Sequence, residues 1–259
     1  MLPSTRSLMM CTSLRSKLVY GKNLKVKYLF LSTFIVNGVC KQIARAAHAC
    51  CKIDQTNLVV FGGVISDRVL ANDQLMFMVL ESEISVTCIN FVCEGQSPGS
   101  RYGLSLTHVK PNLVLFGGNN GQVPLNDVWI LNLEQRPFIW KEVEVTGALK
   151  PDPRAYHSAA LFVQNRATST IAIFGGRSQY KRAMKDTWGL RSHSDGRWDW
   201  VKAPYDKESE QPSSRYQHSL FFFGTLMFVY GGRGDSPGKQ LNLDVYQSDT
   251  SKWFKYKCE

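Results

Sequence analysis

Short apolar runs, separated by polar residues and glycine, set the pattern of this chain. Between Arg101 and Trp140, an apolar run over Leu104–Val109 is followed by a polar break and by a second run, Leu113–Phe116, that ends in Gly117-Gly118. An alternating segment follows, and a last short run ends at Trp140. Runs of this length, rich in Val, Leu and aromatic residues and bounded by Gly, Pro or Asn, are typical of strands rather than helices. The pattern predicts four consecutive strands.

The same order of features occurs four times along the chain. A double glycine ends an apolar run at Gly62-Gly63, Gly117-Gly118, Gly175-Gly176 and Gly231-Gly232, and the first glycines are 55, 58 and 56 residues apart. An Arg-x-x-His signature precedes the glycines at Arg45, Arg154 and Arg215, and Leu104 replaces the histidine after Arg101. Downstream lie Asp-x-aromatic pairs at Asp127, Asp186 and Asp244, weakened to Asp73-x-Leu75 in the first copy, and closing tryptophans at Trp140, Trp200 and Trp253. Features that recur in a fixed order at a near-constant period indicate a repeat architecture.

These motifs resemble the kelch repeat over about residues 40–257. Within that family the chain is most similar to the kelch region of plant and protist serine/threonine phosphatases of the brassinosteroid-signalling type. The similar stretches are Arg136–Trp140, Gly196–Trp200 and Pro212–His218. The resemblance implies an all-β kelch β-propeller built of four-stranded antiparallel blades, in which each repeat is one blade and the domain binds other proteins.

The four copies define one propeller domain over residues 45–257, with blades at about 45–93, 101–145, 154–203 and 215–257. In the first blade, strands are predicted at Ala47–Lys52, Leu58–Phe61, Gln74–Leu80 and Ser85–Val92. A propeller closes on itself to protect its strand edges, and kelch propellers usually have more than four blades. Four copies therefore predict an incomplete propeller that is part of a larger protein; an unusually small closed ring is the alternative.

Residues 1–44 form a separate basic segment. The alternation of apolar and lysine residues over Leu24–Phe30 favours a strand or propeller-packed chain, and a targeting segment is the alternative. The apolar run Tyr28–Val39 is shorter than the ~20 residues that a membrane-spanning helix needs, so no membrane span is predicted.

Nine units of the net charge of +10 lie in residues 1–53, so the rest of the chain is nearly neutral. Residues 1–53 carry nine of the 31 Lys and Arg residues and no acid, which leaves 22 basic and 21 acidic residues beyond them. No basic stripe interleaved with aromatics crosses the repeats, so no nucleic-acid partner is predicted. The seven cysteines form no Cys-x-x-Cys pair, and no Asn-x-Ser/Thr site occurs. Both features favour a reduced compartment, the cytoplasm or the nucleus.

An up-and-down meander of four strands predicts where a partner would bind. It places the loop that enters the first strand and the loop that joins the second strand to the third on one face, which we call the mouth. The entering loops contribute Arg101, Tyr102, Arg154, Tyr156, Arg215 and Tyr216, and the joining loops contribute Asn119, Asn120, Arg177, Ser178, Arg233 and Asp235. In the kelch proteins that this chain resembles, the corresponding face binds peptides. Guanidinium groups can bind both oxygens of a carboxylate, or two oxygens of a phosphate. A protein or peptide partner with acidic or phosphorylated groups is therefore expected.

The alternative for each arginine is a structural role, in which it bonds to backbone carbonyls and holds adjacent blades together. Arg177 and Arg233, directly after double glycines, are the stronger binding candidates. The eight glycines are predicted to be structural, because glycine permits positive φ and close packing. Trp129 and Trp188 are predicted to fill space between blades, and His48, His157 and His218 share one repeat position and are interpreted as packing residues.

No catalytic, metal or cofactor residues are predicted. The Gly-Asp-x-His-Gly, Gly-Asp-x-x-Asp-Arg-Gly and Gly-Asn-His-Glu motifs that hold the two metals of the related phosphatases do not occur. The chain is therefore interpreted as a non-catalytic interaction domain that recruits substrates to, or regulates, a phosphatase domain attached in a parent protein. A stand-alone kelch adaptor is the first alternative, and an enzyme acting on the propeller face is the second.

Overall fold

The computed structural model describes residues 25–30, 45–67, 69–82, 85–147, 149–163, 168–236 and 243–256. The targeting-segment alternative concerns residues 1–24 and 31–44, which lie outside the described part. The basic segment contributes the strand Lys25–Phe30, where the alternation predicted one.

All regular structure in the described residues is β-strand. In chain order the strands are β1 (Lys25–Phe30), β2 (Ala49–Lys52), β3 (Asn57–Phe61), β4 (Val64–Ser66), β5 (Val69–Leu70), β6 (Leu75–Ser82), β7 (Ser85–Phe91), β8 (Ser105–Val109), β9 (Asn112–Asn119), β10 (Pro124–Asn132), β11 (Trp140–Glu142), β12 (Ser158–Val163), β13 (Ser169–Phe174), β14 (Thr187–Ser192), β15 (Trp198–Lys202), β16 (Ser219–Phe223), β17 (Leu226–Tyr230), β18 (Leu243–Gln247) and β19 (Lys252–Tyr256). The all-β prediction is confirmed.

The strands form four antiparallel blades, each wound in sequence order. Blade one contains β2, β3, β6 and β7; blade two, β8 to β11; blade three, β12 to β15; and blade four, β16 to β19. Three details differ from the expectation. Blade one has a fifth strand, because β1 pairs in parallel with β7. Its joining loop holds the small β4–β5 hairpin. The outer strand of blade two begins at Trp140 and does not end there.

The inner strands β2, β8, β12 and β16 lie side by side in that order. A row of main-chain hydrogen bonds links the residues that precede them: the Gly103 amide donates to Ala47, Tyr156 to Gly103 and Gln217 to Tyr156, with N···O distances of 2.8, 2.6 and 2.9 Å. All four residues have positive φ, between 55° and 63°. The shared left-handed turn therefore joins each blade to the next through the backbone alone.

Aromatic side chains fill the space between consecutive blades. The phenylalanine before each double glycine meets the closing tryptophan of the next blade: Phe61 and Trp140 at 5.7 Å between ring centroids, Phe116 and Trp200 at 5.0 Å, and Phe174 and Trp253 at 5.4 Å. Such edge-on and tilted ring pairs stabilise the fold by more than the burial of their apolar surface alone. The hydrophobic core thus lies between the blades.

The double glycines allow the next blade to approach. Gly117 has a φ of 60°, and a Cβ there would lie 3.0 Å from the Arg154 carbonyl oxygen. The amide of Gly118 donates to that same oxygen at 3.0 Å. A side chain would therefore be strained and would also push the blades apart.

Candidate functional site

Arg154 is the centre of a partly buried ion pair in blade three. Its side chain is fully buried, and its Nη1 and Nη2 donate to the two carboxylate oxygens of Asp186 at 2.9 and 2.8 Å. Nε and Nη1 also donate to the carbonyls of Asp152 and Gly175. The Trp188 indole N–H donates to Asp186 at 2.7 Å. Burial by itself raises the pKa of Asp186, but the hydrogen bonds and charge of Arg154 and the Trp188 N–H outweigh it and hold that pKa below its ordinary value.

The same arrangement repeats in the neighbouring blades and corrects one expectation. Arg101 forms a bidentate pair with Asp127, which also accepts the Trp129 indole N–H at 2.7 Å. Arg215 pairs with Asp244 in blade four. The interpretation of Arg101, Arg154 and Arg215 as partner-binding residues was therefore wrong, because their guanidinium groups are buried and bonded to these aspartates and to backbone carbonyls.

In blade four, Tyr246 holds the position that a tryptophan holds in the Asp-x-aromatic pairs of blades two and three. The Tyr246 hydroxyl donates to the Pro204 carbonyl and not to the aspartate. Asp244 is fully buried, and its Oδ1 has no hydrogen-bond partner in the described part of the chain. Burial accordingly raises the pKa of Asp244, although the Ser213 amide and the charge of Arg215 act in the opposite direction.

The joining loops do share a face with the entering loops. Isolated β-bridges pair Tyr102 with Asn119, Ala155 with Arg177, and Tyr216 with Arg233. In blade three, for example, the amides of Ala155 and Arg177 donate to each other's carbonyls at 3.1 and 2.7 Å. The meander therefore places the predicted mouth residues of each blade next to each other.

A row of tyrosine rings crosses the mouth. The Tyr102 and Tyr156 centroids are 5.6 Å apart, and those of Tyr156 and Tyr216 are 6.4 Å apart. All three side chains are half-buried. Burial, followed by the neighbouring Tyr102 ring, raises the pKa of Tyr156, so its hydroxyl stays protonated at neutral pH. The row offers aromatic surface together with hydrogen-bond donors.

Cations lie at the end of this row, between blades three and four. The Arg177 guanidinium carbon is 5.3 Å from the centroid of the Tyr216 ring, and its Nε donates to the Lys181 carbonyl at 3.2 Å. Within the described residues, no acceptor is bonded to the two terminal nitrogens of Arg177. The Arg233 side chain is exposed beside Tyr216. The surface is therefore cationic next to an aromatic ring.

The joining loop of blade three carries further charge that the sequence interpretation did not include. Lys181 and Arg182 are exposed in this loop, and Lys185 is exposed a little further along. Four cations within residues 177–185 were the signal that could have identified them. Asp235, from the next joining loop, accepts a hydrogen bond from the Ala183 amide at 2.7 Å. That bond connects the loops of blades three and four.

Asn119 and Asn120 lie at the blade-two end of the mouth but shape their own loop. The Asn119 side-chain oxygen accepts from the Gly121 amide at 2.7 Å, and that of Asn120 accepts from the amides of Gln122 and Val123. These oxygens fix a turn. The two asparagines therefore shape the joining loop of blade two, whereas the cations of the mouth lie between blades three and four.

Two of the three histidines at the shared repeat position, His157 and His218, are buried inside the domain, and His48 is half-buried. The Nε2 atom of His157 lies 2.9 Å from the Ser105 hydroxyl of the preceding blade. Burial, with the charge of Arg154, lowers the pKa of His157 to about 3, and burial with Arg215 lowers that of His218 to about 3. The described residues include no group of three or more His, Cys, Asp or Glu side chains suited to a metal ion. They also include no helix with the length and apolar character to cross a membrane.

Comparison with known proteins identifies a kelch-repeat family model and several curated relatives. The family model of the KLHDC2/KLHL20/DRC7 Kelch-repeats domain matches residues 33–168 and 138–259. In Arabidopsis thaliana, the chain is 33% identical over 189 residues to serine/threonine-protein phosphatase BSL2, covering 73% of this chain and 17% of that protein. It is 29% identical to Adagio protein 3, covering 87% and 35%. It is 31% identical to an F-box/kelch-repeat protein, covering 74% and 43%. The chain spans less than half the length of each relative.

Proposed function

Because the chain belongs to the kelch-repeat family, whose fold serves protein interaction, we propose that it binds an acidic segment of a partner protein at the mouth between blades three and four. The observation that carries this proposal is the position of Arg177 over Tyr216, beside the exposed Arg233. The domain itself performs no catalysis in this role.

The chemistry of the mouth favours an acidic ligand. Arg177 presents terminal N–H groups, and a guanidinium fork can bind both oxygens of a carboxylate or two oxygens of a phosphate. Lys181, Arg182 and Arg233 add positive charge, and Asp235 is already bonded to a backbone amide. The tyrosine row adjoining this cluster would receive apolar or polar side chains that flank the acidic group.

A phosphorylated segment is the finer form of this proposal. A phosphate group carries nearly two negative charges at neutral pH and three acceptor oxygens, so it would engage more of the cluster than one carboxylate does. Glutamate peptides and their phosphoserine equivalents should therefore bind at the same place, with the phosphopeptide binding more tightly.

The substitution of two arginines tests the site. Fluorescence anisotropy would measure the binding of a fluorescein-labelled glutamate-rich decapeptide, with the glutamine version as the ligand control. Arg177→Ala with Arg233→Ala should weaken binding of the glutamate peptide about tenfold or more, since hydrogen bonds to charged groups contribute ~1.5–3 kcal/mol each. The melting temperature should stay nearly unchanged.

Arg197→Ala is the matched control variant. Arg197 is exposed and lies in the loop between β14 and β15, at the opposite end of the blade from the mouth. An equal loss of affinity in this variant would mean that the peptide binds through general charge attraction, which contradicts the proposed site. A large fall in the melting temperature of the double variant would instead identify Arg177 and Arg233 as supports between blades.

The role in a larger protein is a further part of the proposal. The similarity to a phosphatase supports a domain that recruits substrates to an attached phosphatase or regulates it. The similarity to an F-box/kelch-repeat protein supports the other candidate, an adaptor without a phosphatase domain. An immunoblot of the endogenous protein with an antibody against blade four separates them: a species much larger than 29.3 kDa that carries phosphatase activity supports the first. A species of any mass that carries no phosphatase activity supports the second.

A further inference from the structure

Tyr156 is the ring that joins the tyrosine row of the mouth. Tyr102 and Tyr216 directly follow the arginine of their repeat, whereas in blade three Ala155 takes that place and the tyrosine comes one residue later, in the left-handed position with a φ of 61°. From there the Tyr156 ring lies 5.6 Å from Tyr102 and 6.4 Å from Tyr216, measured between centroids. The Arg177 guanidinium lies 5.3 Å from the Tyr216 ring. Four groups therefore follow one another at nearly equal spacings.

The three rings offer a ligand both apolar surface and polar groups. They are tilted against each other by 51° and 48° rather than stacked, and each side chain is half-buried, so part of each ring remains uncovered. Their hydroxyls form no hydrogen bond with another described residue, whereas the Tyr246 hydroxyl donates to the Pro204 carbonyl. Burial, followed by Tyr102, raises the pKa of Tyr156 and Arg177 lowers it, so the polar ends of these side chains are close together. The hydroxyls can still donate and accept.

The spacing of the row matches the side-chain repeat of an extended peptide. An extended chain advances ~3.3 Å per residue and its alternate side chains point the same way, so they recur every ~6.6 Å. A polyproline helix returns to the same face only every ~9 Å, which is too long for centroid distances of 5.6 and 6.4 Å. An α-helix brings residues four apart to ~6 Å along its axis, but its main-chain groups bond within the helix. An extended main chain needs outside partners, which tyrosine hydroxyls supply.

The acidic residue of such a segment belongs at the blade-four end of the row. Arg177 lies over the Tyr216 ring there, and Arg233 is exposed and bridged to Tyr216. At the other end, the residue bridged to Tyr102 is Asn119, whose side-chain oxygen already accepts from a backbone amide. The row therefore runs from a cationic end to an uncharged one.

We propose, on the basis of the acidic-ligand site above, that the mouth binds an extended segment in which an acidic residue is accompanied by apolar residues two and four positions away. The acidic group contacts Arg177 over the Tyr216 ring, and the two apolar side chains pack on Tyr156 and Tyr102 in turn. The side chains between them point away from the rings. Spacing, and not only charge, thus selects the partner.

Three nonapeptides of equal composition test the spacing. Each has a central glutamate, four leucines, four serines and blocked termini, and the arrangement is symmetric, so that chain direction does not matter. The leucines lie second and fourth from the glutamate in the first peptide, first and third in the second, and third and fourth, the helical spacing, in the third. In fluorescence anisotropy with the full chain, the first peptide should bind about fivefold more tightly than the others, because its leucines bury apolar surface on two rings.

Tyr156→Ala should remove this preference. Alanine holds the same left-handed position at Ala47, so the variant should fold, and its melting temperature checks this. The affinity for the first peptide should fall about fivefold, to that for the second, because the middle ring is lost. Tyr205→Ala is the matched control, since Tyr205 is 49% exposed in the linker before blade four, and it should change none of the affinities.

Equal affinities for the three peptides, each weakened when glutamine replaces glutamate, overturn the spacing and leave the acidic-ligand site intact. Tightest binding of the third peptide overturns it in favour of a helical segment. An equal loss in Tyr156→Ala and Tyr205→Ala overturns the role of the row. Affinities that do not change when glutamine replaces glutamate overturn the acidic-ligand site itself, and the extended segment with it.

Discussion

Asp186→Ala should destabilise the domain severely, because it leaves the buried guanidinium of Arg154 without a counter-charge. The remaining described acceptors of Arg154 are two backbone carbonyls, at 3.0 Å each, and the Trp188 N–H also loses its acceptor. Breaking a buried pair by removing one partner typically costs ~3–5 kcal/mol, and the 25% exposure of the Asp186 side chain places this pair at the lower end of that range. We expect the free energy of unfolding, from urea titration followed by tryptophan fluorescence, to fall by about that amount.

Two variants make this result specific. Asp195→Ala removes the carboxylate of the exposed Arg197–Asp195 pair and should leave the urea midpoint unchanged. Arg154→Met with Asp186→Leu replaces the buried pair by apolar side chains and should recover much of the lost stability, since such replacements are often neutral or better. If Asp186→Ala and Asp195→Ala shifted the midpoint equally, the buried pair would not support the blades and the reasoning would be refuted.

Three further predictions concern the interfaces between blades. Burial lowers the pKa of both His157 and His218 from an ordinary 6.5 to about 3, so on acidification the unfolded chain takes up protons before the folded chain does, and the free energy of unfolding should fall as the pH drops from 6.5 towards 3. His157→Gln should remove about half of the resulting fall in the urea midpoint between pH 7 and 5, because His218 still contributes its share. Gly117→Ala should lower the melting temperature more than Gly231→Ala, because both incur the strain of positive φ, ~1–2 kcal/mol, but only Gly117 lies against the next blade; equal shifts would contradict this. Phe174→Ala should lower the free energy of unfolding in urea by ~3–5 kcal/mol. Tyr230→Ala should lower it far less, because Tyr230 holds the same repeat position on an exposed face. A similar loss for both variants would mean that the Tyr230 face is covered.

The blades were predictable from the sequence because each strand has a local pattern of apolar and polar residues that is visible without the rest of the fold. The alternation and the double glycines located the strands of blade one within about two residues, for example Asn57–Phe61 against the predicted Leu58–Phe61. The β4–β5 hairpin was missed because no turn dipeptide marks it, and the parallel pairing of β1 with β7 depends on a contact between segments distant in sequence.

The roles of the arginines required the three-dimensional structure. The Arg-x-x-His and Asp-x-aromatic signatures were both recognised, but the pairing of Arg154 with Asp186 joins residues 32 apart and depends on how the meander folds. The sequence does show one arginine and one aspartate at fixed positions in each repeat. This recurrence could have indicated an ion pair, since a buried charge needs a partner. Likewise, nothing about tyrosine or glutamine predicts the positive φ of Tyr156 and Gln217; only Gly103, at the same position in another copy, indicates it.

The row of hydrogen bonds through Ala47, Gly103, Tyr156 and Gln217 joins the blades without using a single side chain. The side chains of Ala47, Tyr156 and Gln217 are therefore independent of these bonds, within the tolerance of a left-handed backbone, whereas a Cβ on Gly103 would lie 2.9 Å from the Tyr156 amide nitrogen. Alanine, tyrosine and glutamine hold this position in three of the four copies, so the side chain can change while the row of hydrogen bonds persists. The three positions that already carry side chains therefore suit a small library of variants, and Gly103 should stay glycine.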